Sequence, residues 1–270
     1  MNRRTRTILF ILCVFFFLLA APSLVLYSQG YRFDFEQKKV TQTGAFYCKV
    51  FPENAEVYIN DKYAKKTSMF TNSALLENLL PKKYKIEIRK DGYHSWQKNL
   101  EIKERQVAEA KHVILFPKEL PLEEVESKEA IDILQVIEGP KEKEFPRELA
   151  GLNFKDFSVS PDKKKIAYFT DYEIRVLFLE DHYDLGKSAG DTAFLARFSE
   201  KIKNVFWLDS YYLLFSVGDK IKAAEIDNRD KPNMADLAEL KNPKLHWDEG
   251  KKTIYTLSEG ALYKNSGLLP

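Results

Sequence analysis

Cysteine and glycine are scarce in this chain of 270 residues, and the net charge is small. One of its two cysteines, Cys13, lies inside a long apolar run, so an intrachain disulfide is excluded if that run crosses a membrane. We predict that Cys48 is a small apolar residue on a strand, with an intermolecular disulfide as the alternative. Basic residues exceed acidic ones by 2 (42 against 40), which gives no general reason to expect a nucleic-acid partner.

Sequence motifs that would mark an active site are also scarce. We recognise no HExxH zinc motif, no GxSxG nucleophile elbow and no P-loop, and the histidines form no close pair along the sequence. The four histidines are His94, His112, His182 and His246. Acidic pairs such as Glu123-Glu124 are typical of solvated surface charge. We therefore predict no catalytic residues, no cofactor and no metal site, and we predict that the protein is not an enzyme.

A long apolar run dominates the N-terminus. Ile8 to Tyr27 contain no charged residue, and a helix of that length spans about 30 Å, the thickness of the hydrocarbon core of a bilayer. We predict a transmembrane signal-anchor helix over residues 8–27. A cleaved signal peptide is the alternative, with Ala21-Pro22-Ser23 as a poor cleavage site. The anchor is favoured because the apolar run continues past that site.

Charge around the run predicts its orientation. Three arginines precede it, at Arg3, Arg4 and Arg6. The first charge beyond it is Arg32, which nearby acidic residues balance. Positive residues stay on the cytoplasmic side. We therefore predict a single-pass protein of the cell membrane, with residues 1–7 cytoplasmic and the body extracytoplasmic. Residues 28–43 form a juxtamembrane segment, in which Tyr31 and Phe33 sit where interfacial aromatics usually lie.

The pattern after Gly44 changes to short strands of alternating polarity. Val57 and Ile59 share one face of one such strand, and Ile86 and Ile88 share one face of another. Turn signals follow both strands, at Asn60-Asp61 and Asp91-Gly92. These features predict a mainly β protein with a small antiparallel β-sandwich over residues 44–116.

The order of these elements resembles the PEGA domain, a family named for a Pro-Glu-Gly-Ala motif. The resemblance rests on Pro52, Glu53, Asn54 and Ala55, on the strand and turn that follow them, and on Gly92 and Tyr93. Asn54 stands where the family has glycine, and asparagine tolerates the positive φ that such a turn needs. The resemblance implies an extracytoplasmic β-sandwich of surface or envelope proteins, with a binding or spacing role and no catalytic residues.

Residues 117–150 differ from the sandwich in composition. Acidic residues outnumber basic ones in this stretch, and Pro117, Pro121, Pro140 and Pro146 interrupt it. We predict a proline-containing acidic linker, with a short strand or helix over Ala130 to Ile137.

A weak repeat occupies residues 151–270. Ser160, Trp207 and Trp247 mark equivalent points, 47 and 40 residues apart, and each repeat has three predicted strands: one rich in aromatic residues, one hydrophobic and one of alternating polarity. Repeats of this length and strand content are typical of propeller blades. The stretch Ser160 to Tyr168 resembles the repeats of TolB-like and WD40-like propellers. We predict about three blades and an incomplete ring. Three explanations of the incomplete ring remain: a truncated chain, which is favoured, protomers that complete one another, and a curled sheet rather than a propeller.

Two classes of function follow from this organisation. The first is a membrane-anchored envelope or surface protein with a binding or structural role, whose β-domains contact an envelope protein or a polysaccharide. The second is an exported hydrolase that uses the repeats as a substrate-facing scaffold. The sequence favours the first, because no motif supports catalysis. Trp207 and Trp247 are expected to be core residues of blades rather than sugar platforms.

Overall fold

The computed structural model describes residues 3–125, 127–138 and 145–269. The chain is mainly β, with a long N-terminal helix followed by several small sheets, as predicted. Helix α1 (Arg3–Ser28) is exposed along its length and has a mean hydropathy of 2.8 over its most apolar stretch. Within the described residues it is the one helix long and apolar enough to cross a membrane. The predicted span ends, Ile8 and Tyr27, both lie inside it.

A short hairpin joins α1 to the rest of the chain. It consists of β1 (Tyr31–Asp34) and β2 (Lys39–Gln42), which pair antiparallel. The Asp34 carboxylate shapes the turn, since it accepts hydrogen bonds from the backbone N–H of Glu36 at 2.8 Å and of Gln37 at 3.1 Å.

Two sheets form a β-sandwich after the hairpin. One sheet has the order β6-β3-β9 and the other has the order β5-β4-β7-β8. The strands are β3 (Gly44–Phe51), β4 (Glu56–Ile59), β5 (Lys62–Lys66), β6 (Ser73–Leu79), β7 (Lys83–Arg89), β8 (Trp96–Glu101) and β9 (Val107–Ile114). One pair, β3 with β9, is parallel, whereas the prediction had every pair antiparallel. The crossover through the second sheet allows this, because it returns the chain to the same end of β3.

The core of the sandwich comes from alternating side chains of both sheets. Phe46 on β3 and Ile86 on β7 are fully buried within it, as is Cys48. Burial raises the pKa of the Cys48 thiol to about 12, so this cysteine is an inert apolar residue on a strand, as predicted.

The PEGA-like residues lie in two turns of the sandwich. Asn54 has φ +61°, the left-handed conformation expected of the residue that replaces glycine, and Gly92 has φ +79°. Between them, Lys90 Nζ donates to the Glu53 carbonyl at 2.7 Å and ties the two turns together. Ala55 is buried and pairs with Thr67 through its backbone. Asn54 and Gly92 thus lie in turns between strands.

Three four-stranded sheets follow, each built like a propeller blade. Their orders are β11-β12-β13-β14, β15-β16-β17-β18 and β10-β21-β20-β19, called blades 1, 2 and 3. The strands of blade 1 are β11 (Asp156–Val159), β12 (Lys165–Phe169), β13 (Glu173–Phe178) and β14 (Thr192–Arg197). Those of blade 2 are β15 (Ile202–Trp207), β16 (Tyr212–Val217), β17 (Lys220–Glu225) and β18 (Met234–Glu239). Those of blade 3 are β19 (Lys244–Asp248), β20 (Thr253–Ser258), β21 (Ala261–Asn265) and β10 (Glu123–Glu124).

Each blade therefore has one strand more than the three recognised in each repeat. In blade 3 this outer strand is β10, which comes from before blade 1 in the sequence. Apolar layers separate the blades, with Phe178 and Phe215 between blades 1 and 2, and Trp247 between blades 2 and 3. Trp207 and Trp247 are both buried, which confirms that they are core residues.

The segment predicted as a linker covers the outer faces of the end blades. Helix α2 (Ser127–Glu138) places Ile133 against Tyr255 and Leu262 of blade 3. A 3-10 turn, η1 (Arg147–Leu149), places the buried Leu149 against blade 1. An isolated row of three blades would expose apolar side chains at both ends. Here residues of the same segment pack against those side chains on blades 1 and 3.

Candidate ligand-binding cleft between the sandwich and the blades

A buried ion pair joins the sandwich to blade 2. Lys98 on β8 has no exposed surface, and its Nζ lies 2.6 Å from Glu225 Oε1 at the end of β17. The Trp96 indole, two residues earlier on β8, donates to the other carboxylate oxygen of Glu225 at 2.8 Å. Burial raises the pKa of the Glu225 carboxyl, and the nearby Lys98 ammonium opposes that rise.

The polar groups around this pair are satisfied by the segment that follows β17. Lys98 Nζ donates to the carbonyls of Asp227 at 2.7 Å and Lys231 at 2.8 Å. Asn233 donates to Glu225 Oε1 from its backbone at 2.8 Å and from its side chain at 2.7 Å. Such a saturated set of directional bonds fixes the orientation of the sandwich on blade 2.

A second group of contacts lies beside the pair. Arg229 pairs with Asp227 at 2.7 Å and donates to the Glu109 carbonyl of β9 at 2.9 Å. The backbone N–H of Ile114 donates to the Tyr212 hydroxyl at 2.9 Å. Both strands at this end of the sandwich, β8 and β9, are therefore bonded to blade 2.

An inner cavity opens next to these bonds. Its volume of about 30 Å³ admits on the order of one water molecule. Its polar lining includes Glu109, Lys111, His112, Asp184 and Tyr211. Lys111 bridges two of the carboxylates, 2.5 Å from Glu109 and 3.7 Å from Asp184, so sandwich and blade 1 meet across the cavity.

The Tyr211 ring lies at the centre of this region. His112 stacks on it with the ring centroids 3.5 Å apart and the planes 11° apart. His182 meets the same ring edge-on at 5.6 Å, and Lys165 Nζ lies 5.5 Å from its centroid. Side chains from the sandwich, blade 1 and blade 2 thus converge on one aromatic ring.

Burial sets the protonation of the two imidazoles. It lowers the pKa of His112, although the Asp184 carboxylate opposes this, and it lowers the pKa of His182 together with the Lys165 ammonium. Burial also raises the pKa of the Tyr211 hydroxyl. At neutral pH the cluster therefore presents neutral rings, which can stack and exchange hydrogen bonds without strong charge.

An outer cavity shares Lys111 and His112 with the inner one. It has a volume of about 540 Å³, within the usual range for a small-molecule site. Tyr47, Lys49 and Asn72 from the sandwich line it, with Asp209 from blade 2. The side-chain oxygen of Asn72 is buried and accepts no hydrogen bond from the described residues. We call the two cavities together the seam cleft.

Two aspartates shape turns of the blades. Asp209 accepts hydrogen bonds from the backbone of Tyr211 at 2.7 Å and of Tyr212 at 2.8 Å, which places Tyr211 in the cleft. Asp162 accepts from Ser160 at 2.6 Å and lies 2.6 Å from the fully buried Lys165 Nζ. Burial alone would raise the pKa of Asp162, but these hydrogen bonds lower it to about 2.

The predicted site residues are not among the described residues that line the seam cleft. Pro52 and its PEGA-like neighbours are absent from the described lining of both cavities, as are Gly92 and Tyr93. His112 and His182, far apart in the sequence, meet on either side of Tyr211. No local pattern marks this meeting, since it depends on how the sandwich docks on the blades. Among the described residues, no group of three His, Cys, Asp or Glu side chains is placed to hold a metal ion.

Sequence reasoning also overlooked a GxSxG pattern at Gly186 to Gly190. In hydrolases such a serine sits on a sharp turn between a strand and a helix. Here the pattern lies between a 3-10 turn, η2 (Tyr183–Leu185), and β14. Ser188 is exposed, and its backbone N–H donates to Asp191 Oδ2 at 2.8 Å, so the pattern is part of a surface loop.

Comparisons with known proteins give little direct help. No protein-family model matches the chain, and no curated protein is significantly similar to it in sequence. Among solved structures, the β-propeller domain of Cps50 (Swd1) from Myceliophteria thermophila superimposes with a TM-score of 0.30 at 10% identity, over 42% of this chain and 40% of that one.

Two further structures align over more of the chain. Hsv2 from Kluyvelomyces marxianus gives a TM-score of 0.20 at 10% identity, over 82% of this chain and 51% of that one. A Bacteroides fragilis protein of unknown function, titled as membrane-associated, gives 0.21 at 11% identity, over 82% and 92%. The chain thus covers about two fifths and about half of the first two. All three TM-scores are low, so the fold is defined by the strand pairing within the chain.

Proposed function

We propose that this protein is a membrane-anchored, extracytoplasmic envelope protein that binds a glycan in the seam cleft and does not catalyse a reaction. The sandwich would act as a PEGA-like module, consistent with Asn54 adopting the conformation of the glycine it replaces. The observation that carries the proposal is the outer cavity of about 540 Å³, a concave site lined by sandwich residues together with Asp209 of blade 2.

The lining of the outer cavity suits a ligand rich in hydroxyl groups. Tyr47 and the His112 ring offer aromatic surface of the kind against which apolar faces of sugars pack. Asn72 contributes a buried oxygen that lacks a donor among the described residues, and Lys49 contributes a donor. A concave site of this size favours a saccharide over a flat protein surface.

The arrangement of the cleft favours binding over hydrolysis. Neither cavity has a serine, threonine or cysteine in its described lining, so a side-chain nucleophile of that kind is not in place. Glu109 and Asp184 of the inner cavity are both engaged with Lys111, and Asp209 of the outer cavity accepts two backbone hydrogen bonds. An exported hydrolase would need an acid, a base and a nucleophile or activated water that converge on one point.

Glycan binding is tested with the full chain reconstituted in nanodiscs and titrated calorimetrically with neutral, uronic-acid and amino-sugar oligosaccharides. We expect one class to bind and Tyr47→Ala to weaken its binding about tenfold, which corresponds to about 1.4 kcal/mol. Tyr63→Ala is the matched control, because Tyr63 is exposed on β5 and lies outside the described lining of the cleft. Equal loss in both variants would contradict the assignment, and release of new reducing ends would favour the hydrolase.

The membrane topology needs a separate test. Protease added to intact cells, or after permeabilisation of outer layers, should digest the body of the protein, and deletion of residues 8–27 should retain it in the cytoplasm. If the body is protected inside intact cells, the proposed orientation is wrong.

A further inference from the structure

The β1–β2 hairpin has its polarity reversed relative to an ordinary surface hairpin. Asp34 and Thr41 are buried on the side that faces the body, while Phe33, Phe35 and Val40 point away from it. Their exposed fractions are 48%, 83% and 59%. A hairpin in water normally buries its apolar face and solvates its polar one.

The outward apolar side chains form one continuous surface. Phe33 pairs with Val40 across the two strands, so both project from the same face. The Phe33 and Phe35 rings meet edge-to-face with their centroids 5.0 Å apart, which extends that face to the turn. We call Phe33, Phe35 and Val40 the aromatic face of the hairpin.

Contacts on both sides hold the aromatic face in position. On the helix side, Arg32 lies 3.6 Å over the Tyr27 ring and donates to the Tyr27 carbonyl at 2.8 Å. On the sandwich side, Arg32 also donates to Asn78 Oδ1 at 2.7 Å, and Lys82 pairs with Glu36 at 3.0 Å. The hairpin is therefore held by contacts with both α1 and the sandwich.

We propose that the aromatic face inserts into the headgroup region of the same bilayer that α1 crosses, and so sets the orientation of the body on the membrane. The inference rests on the proposed membrane anchor, because continuity with α1 puts the hairpin at the membrane surface. Aromatic side chains favour that region. Lys38, exposed at the turn, suits its anionic phosphates.

The test measures depth with the full chain in nanodiscs. Phe35→Cys, in a Cys13→Ala background, is labelled with a fluorophore, since Cys48 is buried and its raised pKa keeps its thiol unreactive. The matched control is Phe70→Cys. Phe70 is 99% exposed and precedes β6. Asn78, which Arg32 of the hairpin contacts, lies near the other end of β6, so Phe70 is roughly 20 Å from that contact.

Lipids that carry a nitroxide near the headgroup should quench the label at position 35 at least threefold more than the label at position 70. Iodide in the water should show the opposite preference. Equal quenching at both positions would overturn the inference while leaving the anchor intact. If the chain does not co-purify with the discs, the anchor fails and the inference falls with it.

Discussion

Two interfaces of blade 2 bury side chains equally well but by different means. Towards blade 1, the contact is apolar, with Phe178, Phe215 and Trp207 in one layer. Towards the sandwich, Ile114 and Phe116 also pack against blade 2, but this contact contains in addition the buried Lys98–Glu225 ion pair. Apolar packing is non-directional and depends mainly on area and volume, whereas a buried ion pair depends on the placement of each partner.

The difference shows how a small sandwich can be held at a fixed angle on an array of blades. An apolar layer between two sheets tolerates small shifts, which suits repeats of unequal length. A saturated polar network allows one arrangement, and the seam cleft depends on that arrangement because His112 and Tyr211 come from opposite sides of the seam.

The largest effect is expected from Lys98→Met, which keeps the length of the side chain and removes its charge. Glu225 would be left buried without its cation, so we expect the free energy of unfolding to fall by about 3 to 5 kcal/mol. Urea unfolding of the full chain in detergent measures this, followed by tryptophan fluorescence, to which Trp96 at the seam contributes together with Trp207 and Trp247.

Two companions to Lys98→Met sharpen the comparison. The double variant Lys98→Met with Glu225→Gln should recover more than half of the loss, because no unpaired charge remains. Lys241→Ala, at an exposed pair with Glu259, should change the free energy of unfolding by less than about 0.5 kcal/mol. If Lys98→Met and Lys241→Ala lower the free energy of unfolding equally, the buried ion pair at the seam is no more sensitive to substitution than an exposed pair.

A charge pair inside blade 1 is expected to have an intermediate effect. Asp162, beside the buried Lys165, has its pKa lowered to about 2 from 3.8, so it contributes stability above pH 3.8 that is lost as the pH falls towards 2. Because Asp162 is partly exposed and solvent screens the pair, Asp162→Asn should cost about 1 to 2 kcal/mol at pH 7. The measurement is the free energy of unfolding between pH 2 and 7. If that free energy does not fall for the unsubstituted chain as the pH drops towards 2, the assignment is contradicted.

The apolar interface should respond less to a change of shape. Phe215 is fully buried between blades 1 and 2, and Phe215→Leu keeps the site apolar and nearly filled, so we expect a loss below about 1.5 kcal/mol. The same urea titration measures it. A loss of unfolding free energy as large as that of Lys98→Met would contradict the comparison, since it would show that the apolar layer is equally sensitive to substitution.

Much of the fold could be predicted because its signals are local. Apolar length predicts α1, and strand alternation predicts the sandwich and the repeated strands. The outer strands β14 and β18 were missed because alanine weakens their apolar character. Their shared pattern, Ala193-Phe194-Leu195-Ala196 and Ala235-Asp236-Leu237-Ala238, was the available signal. Strand β10 has only two residues and pairs with the distant β21, which leaves no local pattern to read.

The seam cleft could not be predicted in the same way. Glu109, Asp184 and Tyr211 belong to three different sheets or loops, and they meet only after the sandwich docks. Docking in turn depends on Lys98, which looks like any lysine of an alternating strand until its partner on β17 is known. A lysine aligned with buried positions of a strand is the single hint available, because Trp96 and Leu100 share its face.

The smallest effect should come from the exposed edge of the seam. Asn99, on β8 next to Lys98, donates to Asp230 Oδ2 at 2.9 Å from both its backbone and its side chain. Asn99→Ala removes the second bond only, and water can replace it, so we expect a loss of about 0.5 kcal/mol and no change in ligand affinity. Unfolding and binding measured on the same preparation separate the two effects. A large loss in either would mean that the rim of the seam, and not the buried ion pair, determines how the sandwich is held.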